Sequence, residues 1–492
     1  VILIGVAAAS WPLQIIAANP VGIIHPERFA LVIGALWGLG LGAAILARAA
    51  GASRAVGTIV GVVFVLGLQR GDVFVANFGL GVAWILVAVL VVGLGVIFSR
   101  LGSDRAPTII AVGLVVFLAS SPVLAVVESV GEYGNDVTDS QVLSAGPFLT
   151  KPDIFVIVVD GYAGLQTFDA DFEDPTPRWK TILTSAGFQV PESVMAAYPT
   201  TAVSVPSLLD MSYPVDAGPG FRFASVGRLI EIGGGDNNLV RISKENGYSV
   251  TMVEAGWSGS GCGPQIDNCV ASPFLDESMF LALGPSIISQ QLLESNGSAF
   301  TAGALRTMQW LEANAGDLAG DEKSDLVVAH VTAPHPPFFL DSACRVVYQE
   351  DREIFEGTGR EGADDYLEQA ACVDSFLERV PARIPENAIV VVVADHGTDT
   401  RGQLGTNPDQ WGEAGLRERM NPLLAVRSGS CSIGDSVVLP NVLRRVLSCL
   451  LVEPIPDLPN RMFVYAPLTE GGVPLPIEEL PPDTVAGLLR PG

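Results

Sequence analysis

Five apolar runs fill the first 128 residues, at about 1–18, 29–47, 55–68, 78–98 and 108–127. Four approach the roughly 20 residues a helix needs to cross the hydrocarbon core of a bilayer, and the third is shorter. The alternative for such runs is a buried helical core, and several successive runs of this length separated by short Arg-bearing loops favour transmembrane helices over it. Arg48, Arg54, Arg100 and Arg105 fall in the second and fourth loops, against Arg28 and Arg70 in the first and third. The positive-inside tendency makes loops two and four cytoplasmic, so five helices place everything after them outside. No charged residue falls in the middle of a run, and Gln14 is the main polar exception. The helices therefore read as an anchor rather than an ion or proton pathway.

The remainder is a different kind of chain. The first 128 residues hold six Arg, no Lys and four acidic residues, leaving 22 basic and 49 acidic residues in 129–492. A surface that acidic argues against nucleic acid as a partner. All six cysteines lie in this part, which suits disulfides in an oxidising compartment. Proximity pairs them as Cys262–Cys269, Cys344–Cys372 and Cys431–Cys449, one of 15 connectivities. The organisation expected is a membrane domain at 1–128, a linker at 129–152, an α/β domain at 153–465 and a Pro-rich tail at 466–492, extended on the surface.

Within the α/β part, residues 387–394 run apolar after Asn387 straight into Asp395-His396-Gly397. Such a run predicts a strand buried on both faces of a helix-covered, mostly parallel sheet. Ligands of open α/β sheets sit beyond the strand carboxyl ends, where Asp395 and His396 fall. The stretch 153–160 has the same construction and ends on Asp160-Gly161. The stretch 326–338 is a third strand-to-loop junction and carries His330 and His335, so three of the chain's four histidines stand at strand ends. Between them, 197–211 reads as a loop entering a helix, with Pro206 in its first turn. Thr200, Thr201 and Ser204 stand either as N-caps or as hydroxyls facing an oxyanion. Further expectations are helices at 178–187, 366–379 and 441–450, strands opening at 188–190 and spanning 248–253, and a mobile polar loop at 351–365.

Together these pieces, over roughly 150–465, resemble the alkaline phosphatase and sulfatase superfamily. More narrowly, they resemble its membrane-anchored sulfatase-like hydrolases and phosphoglycerol transferases, such as the lipoteichoic acid synthases. The resemblance rests on the strand ending in Asp160, on Thr201…Ser207-Leu-Leu, on His330-Val-Thr-Ala-Pro-His335-Pro-Pro-Phe and on Asp395-His396-Gly397, in that order. It implies an N-terminal bundle of about five transmembrane helices before an extracytoplasmic alkaline-phosphatase-like domain. It further implies that Asp160, Asp395 and His396 hold a metal, that Thr201 completes the shell and is the nucleophile, and that His335 contacts the transferred group or its leaving oxygen. His330 is implied either as a substrate contact or as support for the loop. Sulfatases of the main type carry Cys-x-Pro/Ala-x-Arg, whereas here the nucleophile position is Thr201 and Val205 stands where Arg belongs, which favours phosphoryl over sulfate chemistry.

The expected activity is a metal-dependent phosphotransferase or phosphodiesterase acting on envelope lipid or polymer. Its expected cofactor is one divalent ion (Mn, Zn or Mg), with a second conceivable through His330 and His335. The expected partner is a membrane lipid or lipid-linked phosphate donor. The competing readings are a tethered phosphomonoesterase or sulfatase-like hydrolase of a soluble substrate, and a non-catalytic receptor or scaffold keeping the fold.

Overall fold

The computed structural model describes residues 2–18, 26–69, 142–218, 226–254, 261–270, 299–318, 323–347, 360–429, 431–465 and 476–490, except 337 and 404–405. It also describes the isolated positions 85, 87, 89, 279, 282, 283 and 286–288. The chain divides into two compact units, one of residues 1–133 with 274–298 and one of 134–273 with 299–492.

In the first unit the first three apolar runs form helices α1 (Ile2–Ala18), α2 (Pro26–Ala49) and α3 (Arg54–Gln69). Among the described residues one helix, over Arg28–Ala49, is long and apolar enough to cross a membrane. The fourth and fifth runs lie outside the described residues apart from positions 85, 87 and 89. Ile4, Ala7, Phe29, Val32, Val62 and Val65 pack into one apolar cluster, and Met279, Ala282 and Leu283 join it. The buried amide of Gln69 is satisfied across the packing, donating to Ala8 O at 3.0 Å and accepting from Ser10 Oγ at 3.2 Å. An amide left without such partners in this setting would be costly.

The second unit is built on strands β1 (Ile154–Val159), β2 (Ser193–Met195), β3 (Ser249–Val253), β4 (Asn268–Val270), β5 (Asp325–Val331), β6 (Ile389–Val393), β7 (Leu424–Arg427), β8 (Ser436–Val438), β9 (Phe463–Val464) and β10 (Glu478–Glu479). Its helices are α4 (Leu165–Asp171), α5 (Arg178–Ser185), α6 (Thr201–Asp210), α7 (Val226–Gly233), α8 (Asn238–Glu245), α9 (Ala299–Leu318), α10 (Arg360–Arg379), α11 (Gly412–Met420), α12 (Pro440–Ser448) and α13 (Pro482–Leu488). Six strands form one sheet in the order β4-β3-β5-β1-β6-β7. All neighbours are parallel except β6 and β7 at the edge. β1 therefore lies inside the sheet, between β5 and β6.

The apolar runs that announced these strands follow from this placement. In β1, Ile154, Val156 and Val158 face a core completed by α6, α8 and α12, while Phe155, Ile157 and Val159 face a core completed by α5, α9 and α10. β6 divides likewise, with Val391 and Val393 on one side and Val390 and Val392 on the other. A strand with helices on both faces has no solvent side on which to place polar residues. At about 25 cal/mol per Å² of apolar surface buried, each of these side chains contributes on the order of 2 kcal/mol.

All three disulfides join the pairs expected from proximity: Cys262–Cys269, Cys344–Cys372 and Cys431–Cys449. Other expectations need correction. The strand expected to open at 188–190 is a single bridge, Gln189 to Val426, and the strand proper is β2. Pro206 lies inside α6 rather than in its first turn. In the expected loop 351–365, residues 360–365 already belong to α10, and 351–359 lie outside the described residues. The end of the expected linker is docked: Leu143 N donates to Asn238 Oδ1, and Phe148 N to Asn246 Oδ1. The tail is no free extended strand either. β10 pairs with β9, and α13 buries Val485 and Leu488 in the same core as β1. Proline at the start of α13 suits the first helical turn, where its missing N–H is no loss.

Candidate active site

β1 and β6 are neighbours in the sheet and end at the same level, so the residues that follow them meet. Asp160 N continues the β1–β5 ladder by donating to Val331 O at 2.9 Å. Gly161 then turns the chain at φ +68, a left-handed conformation that glycine adopts at no steric cost. Its N–H donates to Asp395 Oδ1 at 3.1 Å, which fixes the carboxylate that follows β6 against the turn that follows β1. Gly397 is required by close approach: a Cβ there would lie 1.9 Å from Glu418 O.

Thr201 is the first helical residue of α6. Neither Thr200 nor Thr201 spends its hydroxyl on a cap: Thr200 Oγ1 contacts Tyr465 Oη, and no side chain caps the helix. Thr201 Oγ1 lies 3.0 Å from His396 Nε2 and 3.3 Å from Asp160 Oδ1. His396 Nε2 is in turn 3.3 Å from Asp395 Oδ2 and 3.6 Å from Asp160 Oδ1. The four residues expected to share a metal, Asp160, Thr201, Asp395 and His396, are thus one buried cluster. His335 joins it at the open side, with a ligand atom within 4.8 Å of those of Asp160 and His396. His330 lies behind the cluster on β5, fully buried, its Nε2 3.3 Å from Asp160 Oδ2. That position sets the His330 imidazole against the buried carboxylate that follows β1.

The electrostatics follow from burial. Burial pushes Asp395 up, with the Asp160 charge as the next cause, to about 6. Burial also pushes Asp160 up, but His335, His330 and His396 together hold it below the usual carboxylate range. For His396, burial and then the nearby Arg419 charge hold the imidazole well below its ordinary value, so the ring is neutral. Its Nδ1 lies 2.9 Å from Gly397 O and donates there, which leaves the Nε2 lone pair facing Thr201 and the carboxylates. A neutral imidazole with its second nitrogen anchored to a carbonyl is how a histidine is presented to a metal.

This donor set fits a divalent cation. Two carboxylates, one imidazole nitrogen and one hydroxyl converge, and Asp395 Oδ2 is buried without a hydrogen bond. A cation would supply the partner that oxygen lacks and relieve the repulsion between the carboxylates.

Outside the cluster opens a cleft lined by Gly161, His335, Phe338, Tyr366, His396 and Arg419 among others. Arg419 and Glu418 were invisible in the sequence, where Arg-Glu-Arg reads as a solvated helix face. Both are buried. Glu418 accepts from Thr398 Oγ1 at 2.8 Å, Thr400 N at 2.6 Å and Gln403 Nε2 at 2.7 Å, and so holds the loop that follows Gly397.

The family model described as Sulfatase matches residues 153–429, and the chain belongs to the sulfatase family. No curated protein matches it. Among solved structures it is similar to the integral membrane lipooligosaccharide phosphoethanolamine transferase A of Neisseria meningitidis, at 16% identity and a TM-score of 0.41, over 82% of this chain and 78% of that one. The soluble domain of the same transferase gives 16% identity and a TM-score of 0.40, over 62% of this chain and 89% of that one. A protein of the alkaline phosphatase superfamily from Vibrio parahaemolyticus gives 14% and 0.41, over 67% and 74%.

Proposed function

We propose that the chain is a membrane-anchored, metal-dependent phosphotransferase or phosphodiesterase that acts through Thr201 on phosphate esters of envelope lipid or polymer. The observation that carries the reading is the placement of Thr201 Oγ1, 3.0 Å from His396 Nε2 and 3.3 Å from Asp160 Oδ1 at the first turn of α6. A hydroxyl presented there, at a helix N-terminus and beside a metal-ligand set, is placed to attack a phosphoryl group.

Asp160, Asp395, His396 and Thr201 would hold one Mn, Zn or Mg ion. When bound, it would lower the pKa of the Thr201 hydroxyl and screen the phosphate charge. Thr201 Oγ attacks phosphorus as its proton leaves, Asp160 Oδ1 being the carboxylate oxygen to which it already donates. A phosphothreonine forms and the bond to the leaving oxygen breaks. His335, on the cleft wall, gives the departing alkoxide a proton. An acceptor alcohol or water then takes the phosphoryl group and restores the hydroxyl. Phosphoryl transfer asks chiefly for positioning and charge neutralisation, which a rigid cluster at two strand ends provides.

The anchor belongs to the same reading. It consists of about five transmembrane helices over 1–128, followed by 129–152 and an extracytoplasmic catalytic domain from 153. Confining enzyme and donor to one surface suits a lipid-linked donor, and the acidic exterior disfavours nucleic acid.

The test uses the full chain in detergent, stripped of metal and resupplied with Mn, Zn or Mg, against a chromogenic phosphodiester, a phosphomonoester and a sulfate ester. Metal-dependent diester cleavage, abolished by Thr201→Ala, is the expected result. Preference for the sulfate ester overturns the phosphoryl assignment. Absence of tight metal binding overturns the enzyme assignment in favour of a scaffold.

A further inference from the structure

Arg419, near the end of α11, is 3% exposed. Its Nε donates to Pro199 O at 2.6 Å and its Nη1 to Gly397 O at 3.2 Å. Both partners are neutral carbonyls. Among the described residues no carboxylate lies within 4.0 Å of the guanidinium, and Nη2 has no protein partner. The adjacent acid is committed elsewhere, since Glu418 takes Thr398, Thr400 and Gln403, with Arg401 Nε at 3.2 Å. A buried cation satisfied only by carbonyls is an unbalanced charge, and such charges are costly unless an anion completes them.

The cleft offers the place for that anion, because Arg419 forms part of its wall together with His335 and His396. The charge balance of the reaction asks for a cation at the same place. Asp160 and Asp395 would cancel a divalent ion, and a protonated His335 would offset one of the two negative charges on the ionised Thr201 oxygen and the phosphate diester, which leaves one uncompensated.

We propose that Arg419 is a substrate-binding residue whose free guanidinium edge takes a non-bridging oxygen of the phosphoryl group. The assignment rests on the phosphoryl-transfer reading above. It also gives the two anchoring hydrogen bonds a purpose. Pro199 precedes Thr201 and Gly397 follows His396, so the residue that grips the anion is fixed to both loops that act on it. Charge in a water-poor site that needs no reorganisation is the arrangement that favours a transition state.

The test compares wild type, Arg419→Gln and Arg419→Lys as metal-loaded full chains in detergent, reading inorganic phosphate binding by calorimetry alongside diester kcat and KM. Loss of one charge-assisted hydrogen bond is expected to weaken phosphate binding about 10-fold to 100-fold in the glutamine variant, with metal content unchanged. Lysine keeps the charge but not the planar fork, so about 10-fold weaker binding than arginine is expected, and it carries the test should glutamine not fold. A folded variant of either kind that binds phosphate as tightly as wild type overturns the proposal and leaves Arg419 a strap between two loops. If wild type cleaves no phosphate ester, the catalytic reading fails by itself, while the phosphate affinities still decide the role of Arg419.

Discussion

Ser204 Oγ donates a 2.5 Å hydrogen bond to the main-chain carbonyl of Asp395. The bond joins the first turn of α6, which presents Thr201, to the end of β6, which presents Asp395 and His396. Thr201 and the two residues that follow β6 are therefore held together by one side chain as well as by the packing around them. Ser204→Ala leaves a buried carbonyl unsatisfied and should cost about 1–3 kcal/mol. Thermal unfolding of the purified chain measures that loss. Diester turnover should fall with metal content unchanged, and unaltered turnover would show that the packing alone sets the distance.

Thr201→Ser keeps the oxygen at the same place and should retain activity within about ten-fold, whereas Thr201→Ala should lose on the order of 10³-fold or more. Trapping of a phosphorylated residue by acid quench and mass spectrometry checks the assignment directly. Label on any residue other than 201 would refute it.

His335→Ala should depend on the leaving group. With an alkyl ester, loss of the proton donor should cost about 10²–10⁴-fold. With a nitrophenyl ester, whose leaving oxygen needs no proton, the cost should be small. Equal losses on both esters would make His335 a binding group only.

Metal affinity should rise with pH through the value of Asp395. Burial and the Asp160 charge hold that carboxyl up at about 6, so it carries a proton below that pH and must release it to bind a cation. Calorimetric titration of the stripped chain at pH 5 and pH 7 should give about ten-fold weaker binding at the lower pH. A flat profile would remove Asp395 from the ligand set.

Asp374 gives a stability prediction away from the site. Burial pushes it up to about 6, and Tyr162 Oη donates to it at 2.6 Å. Its folded value lies above its unfolded one, so the native chain binds this proton more tightly. Its contribution is fullest below about pH 4, declines as pH rises to about 6 and stays low beyond. A shift of about two pH units corresponds to about 3 kcal/mol. Asp374→Asn keeps an oxygen for Tyr162 and should stabilise the chain at pH 7, with the gain shrinking below pH 4. Melting curves at the two pH values decide it.

Much of the sheet was legible because burial on both faces disfavours polar residues, so β1 and β6 stand out as unbroken apolar runs and β5 as an apolar run interrupted by His330. Asp160, Asp395 and His396 were legible for the same reason, as abrupt polar endings to those runs. The three disulfides followed from short separations along the chain. Arg419 and Glu418 were not legible, because their partners are carbonyls and hydroxyls on remote loops, and a charged tripeptide carries no sign that it is buried. The tail was misread for a related cause. Its prolines advertise an extended local conformation, while its place is set by β9, some fifteen residues earlier, and by the core beneath α13.

That tail has a practical side. Ile477, Val485 and Leu488 are buried in the core that also holds Val156 and Val158. Ser193 Oγ donates to Leu488 O, and Arg461 clasps Glu479. A recombinant fragment ending after Tyr465 would look tidy on a sequence map, yet it would uncover apolar surface beside the central strand and invite aggregation. The shortest fragment worth purifying runs on through Arg490.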